Sequence, residues 1–239
     1  MKELITKSIC FFLFVIVVLS VNKVNAQELS LGADIYNRYI WRGFDLGDNA
    51  ANIQPSMELS VGNFRVGFWG SYTMSDPAGL NEVDLYAKYD FDLSESGVLS
   101  LGVIDYTNPN SGTKMGNFNN WDEGYGAHFV ELNVDYAGPE SLPIYLSFNW
   151  FLYNVENNPI YFELGYKTSL KDVDLTFFAG GTPGEDTGYY GITKFGFVNV
   201  GFKAEKEIKI TDSFGFSTSG SIIVNPAAED LFYVVGISL

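Results

Sequence analysis

The chain reads as all-β, an up-and-down antiparallel transmembrane β-barrel of about twelve strands. Three observations predict this. Apolar residues recur at every second position in one segment after another, the connections alternate long and tight, and the one unbroken apolar run lies at the N-terminus. Alternation puts an apolar and a polar face on an extended segment. Alternating loop lengths are the habit of outer-membrane barrels, and an N-terminal apolar run points to export.

The leader comes first. Lys2 and Lys7 precede eleven residues from Ile9 to Leu19, followed by the small-residue site Val24-Asn25-Ala26. This is the pattern of a secretory signal peptide over 1–26, well short of the ~20 residues of a spanning helix. Cleavage there takes three of 14 basic and one of 29 acidic residues, so 11 face 28 in the barrel segment 27–239, a formal charge of −17. Cys10, the only cysteine, leaves with the leader. Disulfides, zinc–thiolate sites and cysteine nucleophiles are thereby excluded from the mature chain. No block of Lys and Arg is present to bind phosphates, which argues against nucleic acid. Aromatic residues make up 16% of the chain while its mean hydropathy is only +0.05, which suits strands with one apolar edge better than membrane helices.

The strands follow in order. Leu29, Leu31, Ala33 and Ile35, continued by Tyr39 and Trp41, form an apolar phase, with Glu28, Asp34, Arg38 and Arg42 on the other. Ile53, Met57, Leu59 and Val61 meet Phe64, Val66 and Phe68 across Gly62-Asn63. A two-residue turn predicts a tight hairpin with Val61 opposite Phe64 and Ser60 opposite Arg65. Val83 to Phe91 leads through Ser-Glu-Ser-Gly to Leu99, Leu101 and Val103. Val130 to Tyr136, Ile144 to Trp150, Ile160 to Tyr166, Val173 to Ala179, Val198 to Ala204, Phe214 to Val224 and Leu231 to Leu239 keep the same period. No helical segment competes, and no linker marks a second domain.

A soluble sandwich or lipocalin-like barrel also alternates. The connections separate the two: 43–52, 75–80, 107–124 and 180–191 are long, with two shorter ones near Asn154 and Pro226, whereas 62–63, 94–97, 137–141 and 169–172 are tight. With the aliphatic phase outward, only Asp105, His128, Lys194 and Lys206 break it, all at strand ends. There the penalty of roughly 2–4 kcal/mol for Lys or Arg at a bilayer midplane fades. Aromatic residues on that phase gather toward the long loops (Tyr39, Trp41, Tyr72, Trp150) and toward the turns (Tyr89, Phe91, Tyr136, Phe214), as two interfacial belts would. An even strand number places both chain ends on the periplasmic side and lets the last strand close the barrel.

The stretch ADIYNRYIWRGFDLGDNAANIQPSMELSVGNFRVGFWGSY, with EVDLYAKYDF soon after, resembles the TorF-type porins, a bacterial family whose first strand commonly carries Ser-Arg-Tyr-x-x-Arg-Gly. Here the core is Asn37-Arg38-Tyr39-Ile40-Trp41-Arg42-Gly43, with Asn37 in place of the serine, and the likeness is clearest over 33–92. The resemblance implies an outer-membrane barrel of poorly defined function. The chain departs from the barrel habit in ending on Leu239 rather than an aromatic residue.

On the polar phase, and so facing the lumen, stand Asp34, Glu58, Glu82, Asp84, Glu131 and Glu163 against Arg38, Arg42, Arg65, Lys88 and Lys167, and carboxylates outnumber bases on that phase about two to one. Charged linings tune ion selectivity, so the expected function is passive passage of small solutes or ions with a weak cation preference. The arginines either guide anions or act as counter-ions tying Asp34 and Glu58 across neighbouring strands. The alternatives are a closed structural or adhesive barrel, and a lipid hydrolase using His128, which lacks a serine beside it on its face. Asp45, Asp48, Glu185 and Asp186 could gather Ca²⁺, but no EF-hand spacing supports it, and Gly180, Gly181 and Gly184 match no phosphate cradle. No catalytic, cofactor or metal site is assigned. The expected partners are outer-membrane lipids and lipopolysaccharide, the barrel-assembly machinery and periplasmic chaperones, with no nucleic acid.

Overall fold

The computed structural model describes residues 27–74, 81–184, 188–212 and 214–239. The signal peptide assigned to 1–26 and the long connection at 75–80 lie outside them. The strands are β1 (Gln27–Tyr36), β2 (Ile40–Trp41), β3 (Phe44–Asp45), β4 (Asn52–Val61), β5 (Phe64–Thr73), β6 (Glu82–Asp92), β7 (Val98–Thr107), β8 (Phe129–Ala137), β9 (Ile144–Tyr153), β10 (Ile160–Leu170), β11 (Val173–Thr182), β12 (Gly196–Thr211), β13 (Phe214–Asn225) and β14 (Asp230–Ser238). Twelve of them close an antiparallel barrel in the order β1-β14-β13-β12-β11-β10-β9-β8-β7-β6-β5-β4, and β2–β3 is a separate hairpin within the first loop.

The pleat sorts side chains as the alternation demands. Leu31, Leu85, Val103, Leu146, Leu164, Leu231 and Val235 are exposed on the outer surface, while Asn52, Glu82, Asp84, Glu131, Asn133, Asn149 and Asn199 are buried inside. The Gly62-Asn63 turn pairs Val61 with Phe64 and Ser60 with Arg65 as expected. The closing seam is the shortest: β1 meets β14 through Asp34↔Ser238, Ile35↔Ile237 and Tyr36↔Gly236, and Leu239 N–H donates to the Ala33 carbonyl at 3.1 Å. Rings collect near both rims on the outer surface, Tyr72, Trp150 and Tyr233 toward the loops and Tyr89, Phe91, Tyr166 and Phe214 toward the turns.

Three expectations need correction. The first strand ends at Tyr36 instead of running through Trp41. Asn37 stops it by bonding the neighbouring strand with its side chain, donating to Tyr233 O at 3.2 Å and accepting from Val235 N–H at 2.9 Å. Tyr39 and Trp41 consequently leave the outer belt and turn inward. Second, Val198 is fully buried rather than outward, because a bulge between Gly180 and Gly181 shifts the β11–β12 register and leaves Phe197 outside instead. Third, of the four outward ionisable groups expected at strand ends, Lys206 lies within β12 instead. His128 Nδ1 lies 2.7 Å from Asp105 Oδ2, and Lys206 Nζ lies 2.6 Å from Asp172.

The longest loop, which follows β7, packs against His128 at the start of β8. His128 Nε2 reaches the Met115 carbonyl at 2.8 Å, and its ring stacks on Phe118 at 4.2 Å. Asn154 fastens the base of the loop, accepting from Gly126 N–H and donating to the Gly126 and His128 carbonyls.

Candidate functional site

The lumen is filled at its loop end by residues of the first loop. Backbone geometry sends them there: Arg42 and Gly43 both have positive φ (50° and 82°), turning β2 into β3. At Gly43 only a hydrogen fits, since a Cβ would lie 1.9 Å from the Val198 carbonyl oxygen. Asn225 Nδ2 donates to the Gly43 carbonyl at 3.1 Å from the far side of the closing strands.

Arg42 then spans the barrel. Nη1 and Nη2 donate to the two oxygens of Glu131 on β8 at 2.6 and 2.8 Å, and Nη1 also bonds Tyr190 Oη at 2.7 Å. Its guanidinium lies 4.5 Å from the Trp41 ring and 4.6 Å from the Tyr161 ring, within cation–π range. Glu131 is fully buried and accepts further bonds from Tyr106 Oη (2.9 Å) and Asn133 Nδ2 (2.7 Å). Burial works against the Arg42 charge, but Tyr190 and Glu131 more than offset it, holding the group well above its ordinary value. Bidentate pairing with the remaining lone pairs occupied is the arrangement in which a buried ion pair holds.

Around this clamp the rings of Trp41, Tyr106, Phe151, Tyr189 and Tyr190 pack within 6.5 Å of one another in successive pairs. Tyr39 Oη donates to Glu82 at 3.2 Å, and its ring meets Trp69 at 5.3 Å. Burial first, then Glu82 and Asp84, raises the Tyr39 phenol well above its ordinary value. Burial likewise pushes up the Tyr190 phenol. Trp41 and Tyr106 form the shared wall between two cavities, one of about 230 Å³ toward the loops and one of about 370 Å³ toward the turns. A further cavity of about 770 Å³ lies at the turn end, lined by Lys167, Asp174, Lys203 and Glu205. Buried polar groups thus concentrate at the loop end, and half-exposed charges occupy the turn end.

The residues singled out from sequence divide accordingly. Arg42 and Glu131 meet across the lumen, although sequence placed the arginine on the first strand. Arg38 also leaves that strand and pairs with Asp45 within the loop, at 3.7 Å. Arg65 bonds Asp90 at 2.9 Å and lies 3.7 Å from Glu58 on the neighbouring strand, so the expected Arg65–Glu58 tie is present. Asp34 takes no part in these arginine pairs and stands opposite Gln54 in the register. Lys88 pairs with Asp135 at 3.6 Å, Glu163 accepts from Tyr145 and Tyr161, and Lys167 lies over the Tyr145 ring. Glu82 and Asp84 are both nearly buried on the inner face of β6. Sequence reasoning missed Tyr106, Tyr161, Tyr190 and Trp69. Trp69, Tyr106 and Tyr161 carried a signal, because each is an aromatic residue on the polar phase of its strand.

His128 has both ring nitrogens occupied, by Asp105 and by a main-chain carbonyl, so neither faces a nucleophile. Asp45 accepts from Gly47 and Asn49 N–H groups, and among the described residues no His, Cys, Asp and Glu cluster has the arrangement of a metal site. Glu185 and Asp186 lie outside the described residues. No curated protein matches the chain. Residues 22–203 match the model of a bacterial protein family of unknown function, Gcw_chp, and the chain belongs to that family.

Proposed function

We propose that the protein is an outer-membrane barrel that admits small solutes or ions to an acidic lumen, with the β2–β3 hairpin as its gate at the loop end. The segregation of faces carries this reading. A closed barrel with aliphatic side chains outside and carboxylates inside is suited to acyl chains around it and water within, whereas a soluble barrel would bury the aliphatic face. The sequence resemblance to TorF-type porins supports the same location. The surplus of carboxylates over bases on the inner wall favours cations. Outer-membrane lipids and lipopolysaccharide as surroundings, and the assembly machinery and periplasmic chaperones as transient partners, belong to the same proposal. So does the absence of catalysis, which the occupied nitrogens of His128 support.

A second reading, a closed structural or adhesive barrel, is favoured by the Arg42–Glu131 clamp itself, since a buried bidentate pair resists opening. Planar-bilayer recording separates them. The mature protein should give small, infrequent openings, and replacing residues 38–46 by a glycine-serine linker of equal length should give large steady conductance with a cation-selective reversal potential. Silence from both proteins at high load would replace the gated pore with the closed barrel.

A further inference from the structure

The cavity of about 370 Å³ beneath Trp41 and Tyr106 falls in the roughly 300–1,000 Å³ range of small-molecule sites. Trp41, Trp69, Tyr39 and Tyr106 contribute rings to its wall, and Glu58, Arg65, Asp84 and Lys88 contribute charges. Three of those charges are matched. Arg65 pairs with Glu58 and Asp90, Tyr86 Oη donates to Glu58 at 3.0 Å, and Lys88 pairs with Asp135. Asp84 differs. It is nearly buried at 7% exposure, and among the described residues Oδ1 has no hydrogen-bond partner. The nearest acid, Glu82, is within hydrogen-bond reach, and none of the ion pairs among the described residues includes either carboxyl.

We propose that this cavity binds a small protonated primary or secondary amine with a ring-sized apolar body, its ammonium donating to Asp84 Oδ1 and its body lying against Trp41, Trp69 and Tyr106. An acceptor oxygen without a partner calls for an N–H donor, and two adjacent carboxyl groups without a base call for positive charge. Ring faces around the position attract the same charge. Arg65 and Lys88 do not oppose it, because carboxylates already neutralise both. A quaternary ammonium supplies the charge but no donor, and an alcohol supplies the donor but no charge. Entry is from the turn end, on the side of the hairpin away from the loops. The proposal rests on the lumen geometry and not on conduction, so a conducting barrel that binds no amine would sink this inference alone.

The test uses the mature protein folded in detergent, titrated with benzylammonium, benzyltrimethylammonium and benzyl alcohol, and followed by calorimetry and tryptophan fluorescence. Benzylammonium should bind saturably, with the quaternary analogue weaker by about tenfold or more and the alcohol weaker still. Asp84→Asn should weaken benzylammonium by about ten- to a hundredfold, whereas Asp174→Asn, at the turn end outside this cavity, should leave it unchanged. Heat-modifiable gel migration reports whether Asp84→Asn folds. If it does not, Trp69→Leu replaces it and should weaken benzylammonium more than benzyl alcohol, because both lose the ring contact but only the ammonium loses the attraction of the ring face. Equal binding of the three probes, an unchanged affinity in the folded Asp84→Asn protein, or no saturable binding would overturn the proposal.

Discussion

Arg42 joins the first loop to Glu131 and Tyr190 inside the barrel, and its substitution is the sharpest test at the residue scale. Removing one member of a buried ion pair leaves the other charged and unpaired, so Arg42→Ala should lower the unfolding free energy by about 3–5 kcal/mol in a urea titration. Arg42→Lys should also destabilise, because an ammonium cannot make both bonds to Glu131. Loss of less than about 1 kcal/mol from Arg42→Ala would mean that the clamp contributes little. The buried phenols add a dependence on pH. Tyr39 and Tyr190 have folded values raised by burial, so their contribution is fully present below the unfolded value near 10 and is lost as pH rises through the higher folded values. The tyrosinate absorbance of the folded protein should therefore lag behind that of the denatured protein between those limits, with the hairpin loosening above them. Coincident titration curves would contradict the burial of these rings.

At the scale of elements, what the sequence discloses depends on whether the cause is local. Strands disclose themselves because a pleat with one apolar face writes a period of two into neighbouring residues, and the Gly62-Asn63 turn fixed its own register. The hairpin at 37–51 was hidden by the same rule. Tyr39 and Trp41 continue the odd phase of Leu29 to Ile35, so their inward turn looks like one more stretch of strand. What diverts them is a bond from Asn37 to a strand nearly two hundred residues away and a clamp to Glu131, neither of which leaves a local trace. The inward bulge at Val198 is hidden likewise, because one extra residue reverses phase without altering composition. Gly43 is where the hairpin is most easily displaced. Gly43→Ala would place a methyl against the Val198 carbonyl at a positive φ, so limited proteolysis should cut within 37–51 faster while the barrel keeps its heat-modifiable migration. Similarly, His128→Ala removes both the stacking on Phe118 and the bond to Met115 O, and the 108–127 loop should be cleaved faster with the hairpin unaffected. Cleavage within 37–51 accelerating in the His128 variant as well would show that the two loops are coupled.

For the whole molecule, one physical arrangement underlies the rest: a closed barrel with an apolar exterior and a polar interior, shut near the loops and roomier near the turns. Closure leaves no strand edge without a partner, a condition for any β-structure surrounded by lipid. An outer surface bearing Leu85, Leu101, Val103 and Phe148 has no counterpart layer among the described residues to cover it, which suits an apolar phase around the barrel. The cysteine-free segment 27–239 permits a direct measurement, since each introduced cysteine can carry a single spin label. In outer-membrane vesicles, labels at Leu101→Cys, Val103→Cys and Phe148→Cys should collide readily with dissolved oxygen and rarely with a water-soluble nickel chelate, while labels at Glu58→Cys and Lys88→Cys should show the reverse. If the chelate reaches the outer positions as freely as the inner ones, the barrel does not lie in a membrane and the account fails.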